Sequence, residues 1–115
     1  MMLRRAMAAA DELRPNAVDE ALKSEWLYRL EGQLAETLQV ETPEWAWPED
    51  QELLMPFPVD MVYVYWLCAM IDYAQLDTQQ YQIDKAMYDT ELSQALAWWR
   101  RHHRPLVDEK GARIR

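Results

Sequence analysis

The chain has 115 residues, half of them hydrophobic, which predicts one folded domain that needs neither a disulfide nor a metal. Its single cysteine excludes an internal disulfide, and its longest uncharged run, residues 61–71, is about half as long as a membrane-spanning helix. The net charge of −8 is uneven, since residues 16–99 hold 16 acids and three bases whereas residues 100–115 hold six bases and two acids, and so acidic a body argues against broad binding of nucleic-acid phosphates.

The first third of the chain predicts a short helix followed by a longer one. Only two glycines occur, and the tight turns of a sheet usually need glycine, so the composition favours helices throughout. Residues 2–13 are rich in Ala, Met and Leu, which indicates a short helix that ends before the turn at residues 14–16. Over residues 17–38 apolar side chains recur at helical spacing, which predicts an amphipathic helix with Asn16 as its N-cap.

This first main helix has a polar face and one glycine. Four charged residues fall outside the apolar stripe and are expected to face solvent: Asp19, Lys23, Glu31 and Glu36. Gly32 costs the helix about 1 kcal/mol relative to alanine, so we expect it to mark a place where another helix packs closely.

Residues 39–58 are predicted to form a long acidic loop. Four prolines forbid a continuous helix here, because proline lacks the amide hydrogen and clashes with the preceding turn. Trp45, Trp47 and Phe57 lie among five acids, and long loops in compact domains are often functional. Two alternatives stay open for the tryptophans: they fold back on the helices as a lid, or the loop is exposed and binds a partner.

The second main helix, which is predicted to begin near residues 58–60, should be central. Its run over residues 61–71 is apolar on every side, so neighbours must cover it on several faces, and in so small a domain this hints at burial by a partner subunit. Asp60 and Asp72 flank the run and are expected to cap or solvate the helix ends. Cys68 lies inside it, where a thiol behaves as a small hydrophobe.

A long third helix is predicted from Asp77, its N-cap, to a stop at Pro105. About 26 residues give a length of roughly 39 Å, more than the globule needs, so we expect its end to project. That end is aromatic and then basic, and positive charge suits the negative end of a helix dipole. With the loop aromatics, the candidate interface comprises Trp45, Trp47, Phe57, Trp98, Trp99, Arg100, Arg101 and Arg104.

These elements predict an all-α fold, a small bundle of three main helices with a Pro- and Trp-rich acidic loop between the first and the second. Residues 1–15 are expected to form an N-terminal arm or short helix, residues 16–105 the helical domain, and residues 106–115 a flexible basic tail.

The residues predict no catalytic, cofactor or metal site. His102 and His103 are adjacent and would point about 100 degrees apart on a helix, so they cannot readily share a metal ion. Cys68 has no neighbouring base to activate it, and two isolated glycines cannot form a phosphate-binding loop. This pattern favours a protein that works by binding other proteins, not an enzyme.

Three stretches of the sequence form a pattern in their order and spacing. They are Arg14-Pro15-Asn16 followed by Lys23, Trp26 and Glu31-Gly32; Pro58-Val59-Asp60 followed by Tyr63, Trp66-Leu67 and Ala69-Met70-Ile71-Asp72-Tyr73; and Tyr81 followed by Trp98-Trp99-Arg100-Arg101-His102 and Pro105. Over about residues 14–105 this pattern resembles a family of small helical proteins of tailed phages and prophages, described as head-tail connector or virion structural proteins.

The resemblance implies a non-enzymatic subunit of the virion, made in the cytoplasm of the host bacterium. Its implied partners are the portal and neighbouring connector or tail subunits, and copies of the chain would join in a homo-oligomeric ring. Neither a membrane nor direct contact with nucleic acid is expected. The alternative is an acidic phage- or prophage-encoded binding protein that regulates or inhibits a host protein.

Overall fold

The computed structural model describes residues 1–103, and within them it contains four α-helices and no β-strand. The helices are α1 (Leu3–Leu13), α2 (Glu20–Leu38), α3 (Met61–Ala74) and α4 (Thr78–His102). The predicted all-α class is therefore confirmed. The predicted stop at Pro105, the candidate residue Arg104 and the predicted tail at residues 106–115 lie outside the described residues.

Helix α3 is the centre of the fold, as its sequence predicts. Eight of its 14 residues are buried, because α1, α2 and α4 all pack against it. Helix α4 packs chiefly along α3, whereas α1 and α2 also contact each other. An almost wholly apolar helix thus provides the surface on which the other three helices assemble.

Helix α1 is a full member of this core, so the bundle has four helices where the sequence predicts three main ones. Leu3, Ala6, Met7 and Ala10 are all buried, and their i, i+3, i+4, i+7 spacing forms one face of the helix. The backbone before α1 is tied to the long loop, because the amide of Leu3 donates to the carbonyl oxygen of Gln51 at 2.8 Å.

Helix α2 begins three residues later than predicted, and its N-cap is Asp19 rather than Asn16. The Asp19 side chain accepts a hydrogen bond from the amide of Ala21 at 3.4 Å. The Asn16 side chain instead accepts from the amide of Val18, two residues on, and donates to Asp11. This local turn, which asparagine often forms, satisfies the side chain before the helix starts.

Two residues expected on the solvent face of α2 are buried instead, and the close helix packing expected at Gly32 is not found. Lys23 is 3 % exposed and lies under α1, where its Nζ donates to Asp11 at 2.7 Å. Glu31 is 0 % exposed and bonds to the long loop and to α3. A Cβ atom at Gly32 would meet no atom within 4 Å, so no helix approaches closely there.

The turn between α3 and α4 is tight and holds a leucine in a left-handed backbone conformation. Leu76 has φ +59°, and its amide bonds to the carbonyl of Tyr73 while that of Asp77 bonds to Asp72, which is the Schellman pattern. The predicted cap of the next helix is confirmed, because the Asp77 side chain accepts from the amide of Gln80 at 3.1 Å.

Candidate protein-binding surface

The last turns of α4 combine two half-buried indoles with exposed basic side chains. The Trp98 ring stacks on His102 with centroids 4.0 Å apart, and the Trp99 ring stacks on His103 at 3.8 Å. The Nδ1 of each histidine also lies within hydrogen-bond distance of the carbonyl oxygen of its own tryptophan. These i, i+4 pairs hold the imidazoles along the helix and engage the Nδ1 atom of each ring locally.

Two arginines extend from the same turns and are exposed. Arg100 and Arg101 lie in the last turn of α4, where positive charge is stabilised by the free carbonyl groups of the helix end. The remaining base of the predicted cluster, Arg104, lies outside the described residues. The end of α4 therefore carries two stacked Trp–His pairs bordered by positive charge, and aromatic and arginine side chains are enriched in protein interfaces.

The tryptophans of the long loop pack back onto the helices. Trp45 is half-buried, its Nε1 donates to the Ser24 hydroxyl at 2.9 Å, and its ring lies 5.2 Å from that of Tyr28. Trp47 is also half-buried and lies beneath the guanidinium of Arg4, 4.8 Å from the ring centroid. Of the two alternatives for this loop, the lid is the geometry that these contacts favour.

Phe57 differs from the other loop aromatics because it is 82 % exposed. Exposure of an apolar ring of this size to water is unfavourable, so a partner that covered the ring would gain free energy by burying it. Phe57 lies just before the start of α3. The candidate aromatic residues therefore form three groups. Trp45 and Trp47 of the loop pack onto α2 and α1, Phe57 is exposed before α3, and Trp98 and Trp99 stack on histidines at the end of α4.

A buried network that the sequence does not reveal holds the loop in place. The Glu31 carboxylate accepts from the Tyr63 hydroxyl at 2.6 Å and from the amide of Leu54 at 2.9 Å. The Tyr63 hydroxyl in turn accepts from the amide of Met55 at 2.8 Å. Burial raises the pKa of Glu31, and the bonds from Tyr63 and Leu54 oppose that rise. The network fixes the part of the loop that leads to Phe57.

A second buried cluster joins the end of α1 to α3 and α4. The Arg14 guanidinium donates to both oxygens of Asp84, and Asp72 lies beside it with its Oδ2 buried and without a partner. Burial and the neighbouring Asp84 carboxylate raise the pKa of Asp72 to about 7. The expectation that Asp72 solvates the end of α3 is thus wrong, because α4 and Arg14 cover it.

The described residues offer little for nucleophilic or metal chemistry. Burial raises the pKa of Cys68 to about 12, so this side chain is a thiol at neutral pH and not a nucleophilic thiolate. Within residues 1–103 no three His, Cys, Asp or Glu side chains converge to hold a metal ion. None of the four described helices is both long and apolar enough to cross a membrane.

The sequence also does not reveal a pocket of about 380 Å³ at the turn between α3 and α4. Leu76, which is 88 % exposed, stands at its edge, and the Tyr73 and Tyr81 rings meet edge to face with centroids 5.9 Å apart. A leucine between Gln75 and Asp77, at a turn, is the one sequence signal that points to it. The pocket is lined by Tyr73, Leu76, Asp77, Thr78, Tyr81 and Gln82.

Comparison with known proteins gives no match to a family model, to a curated protein or to a solved structure. The resemblance to phage connector proteins therefore stays a prediction from the sequence pattern. The class of protein that fold and surface define is a small four-helix domain with an aromatic and basic end.

Proposed function

We propose that this chain is a non-enzymatic structural subunit of a phage particle, a head-tail connector or adaptor that acts through contacts with other virion proteins. The observation that carries the proposal is the end of α4, where Trp98 and Trp99 stack on histidines beside exposed Arg100 and Arg101. The resemblance of residues 14–105 to connector proteins supplies the viral context.

The length of α4 supports a role for its end in contact with a partner. Its 25 residues span about 37 Å, whereas the 14 residues of α3 span about 21 Å. Helix α4 starts after a three-residue turn and packs back along α3, so its last turns extend past the start of α3. Trp98 and Trp99 pack partly against the core, and the exposed part of each ring is available to a second protein.

The charge distribution indicates the kind of partner. Residues 100–115 carry six bases and two acids, while residues 16–99 carry 16 acids and three bases. The basic end therefore fits an acidic surface such as the body of a neighbouring subunit. We propose the exposed Phe57, just before α3, as a second contact. The neighbours of such a subunit would be further copies in a ring, the portal and the tail proteins.

Mass spectrometry of purified phage particles tests the proposal. We expect this chain in a handful to some tens of copies per particle, counted against the major capsid protein. Its complete absence from well-purified particles would rule out a structural role.

Charge reversal tests the contact itself. A double variant, Arg100→Glu with Arg101→Glu, should lower the copy number in particles, because it places acid against acid. Arg29→Glu is the control, since Arg29 is exposed on α2 and, within residues 1–103, forms an ion pair with Glu25 at 3.5 Å. Equal incorporation of both variants would show that the end of α4 is not the contact.

The exposed acids of the long loop favour a second candidate, an acidic protein that binds and regulates a host protein. All five are exposed, and they follow one another without a base between them: Glu41, Glu44, Glu49, Asp50 and Glu52. A regulator of this kind should be absent from particles and should copurify from infected cells with one host protein. Neutralising Glu41 and Glu44 should weaken that copurification.

A further inference from the structure

The pocket at the turn between α3 and α4 has the chemistry of a peptide-binding site. Tyr73 and Tyr81 form its aromatic walls, with the carboxylate of Asp77 at its border. Tyr73 is 68 % exposed, so its ring is open to contact from outside. Grooves lined by aromatic side chains bind proline-containing segments in several recognition domains. An acidic group at the border of such a groove can pair with a base in the segment.

The turn itself does not need the leucine that stands beside this pocket. Leu76 has φ +59°, where a side chain with a Cβ is strained and glycine or asparagine is the usual residue. The side chain is also almost fully in water. Leucine is thus unfavourable here on two grounds, and an apolar partner that covered the side chain would remove the cost of its exposure.

We propose that this pocket binds residues 104–107, Arg-Pro-Leu-Val, of a second copy of the chain. The inference rests on the proposed assembly role and names one contact between copies. Leu106 and Val107 would fill the space beside Leu76, Pro105 would lie on the tyrosine rings, and Arg104 would face Asp77. Each part of the segment thereby meets a side chain of matching chemistry in the pocket.

The charge on each side of the contact is complementary. Residues 72–84, which form the turn and its flanks, hold three aspartates and no base. Two of them, Asp72 and Asp84, share Arg14, so Asp77 is the acid of this group that lines the pocket. The segment brings one arginine directly before its proline, so a single ion pair would set its direction of binding.

The length of α4 shows that the segment must come from another copy. The pocket lies at the start of α4, and His102 is 24 residues further on, about 36 Å away. Leu106 follows His102 by four residues, which reach at most about 14 Å even when fully extended. The segment of a chain therefore cannot fill the pocket of the same chain.

Each copy would therefore carry the donor segment after the C-terminal end of α4 and the acceptor pocket at the N-terminal end of α4. Such a contact joins different surfaces of the two copies, and repetition of it produces a closed ring or an open filament. The separation of donor and acceptor is the feature that a ring subunit requires.

Fluorescence anisotropy with a labelled peptide of residues 103–112 tests the proposal. The receptor is the full chain with Leu106→Ser and Val107→Ser, so that its own segment does not compete. We expect saturable binding that a peptide with Leu106→Ser does not show. Because both peptides carry the same charge, a difference between them measures the apolar contact alone.

Receptor variants then locate the binding site. Tyr73→Gln with Leu76→Asn should weaken binding at least about tenfold, and asparagine suits the backbone at position 76, so the fold is retained. Ile83→Gln is the matched control, since Ile83 is 53 % exposed on α4 and does not line the pocket. Binding should be unchanged in this control, and circular dichroism should show the same helix content in all three receptors.

Three outcomes would overturn the inference. The first is no saturable binding up to about 1 mM peptide, which corresponds to about −4 kcal/mol, and the second is equal binding to the pocket variant. The third is equally strong binding of an unrelated basic peptide, which would show charge attraction only. These results are independent of the particle analysis, because a chain can be present in the virion without this contact. The proposed function would then stand while the contact fails.

Discussion

The guanidinium of Arg14 donates from Nη2 and Nε to the two oxygens of Asp84, at 2.8 and 2.9 Å, and the same Nε lies 3.5 Å from Asp72. One cation at the end of α1 thus faces two carboxylates, one on α3 and one on α4. Two buried acids that share one base form a cluster whose charge does not balance unless one acid is protonated.

Replacement of Arg14 should therefore be strongly destabilising. Arg14→Met leaves Asp72 and Asp84 buried without their cation, and loss of one partner of a buried ion pair costs about 3 kcal/mol. We expect this loss in urea-induced unfolding at pH 7.5, and a smaller loss at pH 5, where Asp72 is protonated in the wild-type chain. Arg29→Met, which removes an exposed pair, should change the stability by less than about 0.5 kcal/mol. An equally small effect at Arg14 would show that the cluster is solvated.

Asp72 should make the fold less stable as the pH rises towards neutrality. Its pKa is about 7 in the folded chain, against about 3.9 in unfolded peptides, so the folded state holds more protons between these values. The free energy of unfolding then falls with increasing pH across this window and levels off above pH 7.

Asp72→Asn should remove that dependence. At pH 8 we expect the variant to be more stable than the wild type by about 1 kcal/mol, since the wild type there keeps a charged Asp72 carboxylate in the buried cluster. Near pH 4 the two should be similar. The control is Glu36→Gln, an exposed acid of α2, which should leave the pH profile unchanged. Parallel profiles for Asp72→Asn and the wild type would show that Asp72 does not titrate in this range.

Glu31 and Tyr63 should prove energetically coupled. Glu31→Gln places an amide group where the carboxylate accepts two hydrogen bonds, and one buried donor then loses its acceptor, at a cost of about 1–3 kcal/mol. Tyr63→Phe also removes the acceptor for the amide of Met55. We expect the double variant to be less destabilised than the two single effects added together, by at least about 0.5 kcal/mol.

Hydrogen exchange gives an independent reading of the same network. In Glu31→Gln the amides of Leu54 and Met55 should exchange faster, while amides in the middle of α3 keep their protection. If the loop amides exchange at the wild-type rate, the carboxylate is not what holds the loop.

Leu76→Asn should stabilise the isolated chain. The change removes an exposed apolar side chain from a left-handed position and substitutes a residue that tolerates it, for an expected gain of about 0.5–1 kcal/mol in thermal unfolding. Gln39→Asn is a useful comparison, because Gln39 closes α2 with φ +58° and is a polar residue. A loss of stability in Leu76→Asn would mean that the leucine packs within its own chain.

The sequence predicts the helices whose signals are local. Asp77 predicts the start of α4 because an aspartate caps the amides directly after it, and the all-round apolar run of α3 predicts a central helix because every face needs cover. Whether α1 belongs to the core is harder to predict from the sequence. Its short stripe of Ala, Met and Leu is buried because α3 lies against it.

The buried polar residues could not be predicted in the same way. Spacing alone places Lys23 and Glu31 on the outer face of α2, and their burial depends on Asp11 and Tyr63, which are 12 and 32 residues away in the chain. Asp72 likewise becomes buried through Arg14 and α4. Helical periodicity reports which face is apolar, but it carries no information on which distant segment will cover a charged side chain.

The sequence indicates which residue types form the candidate surface, but it does not indicate how most of them are arranged in space. The Trp and Arg residues at the end of α4 are contiguous in sequence, so their common location follows from the helix. Trp45 and Trp47 depend on Ser24 and Arg4 for their positions, and no local rule connects these pairs. The pocket beside Leu76 depends on a backbone conformation that sequence patterns do not assign to leucine.

Helix α4 has only three buried residues, Asp84, Tyr88 and Ala95, in its 25, whereas α3 has eight in 14. Segments with few buried contacts open at lower free energy than the rest of a protein. Opening of α4 would break its tie to Arg14 and uncover one side of α3, while α1 and α2 could stay packed on the others. The protein would then consist of a three-helix core from which α4 can separate. A neighbouring subunit that binds α4 would change the fraction of time that α4 stays packed on α3.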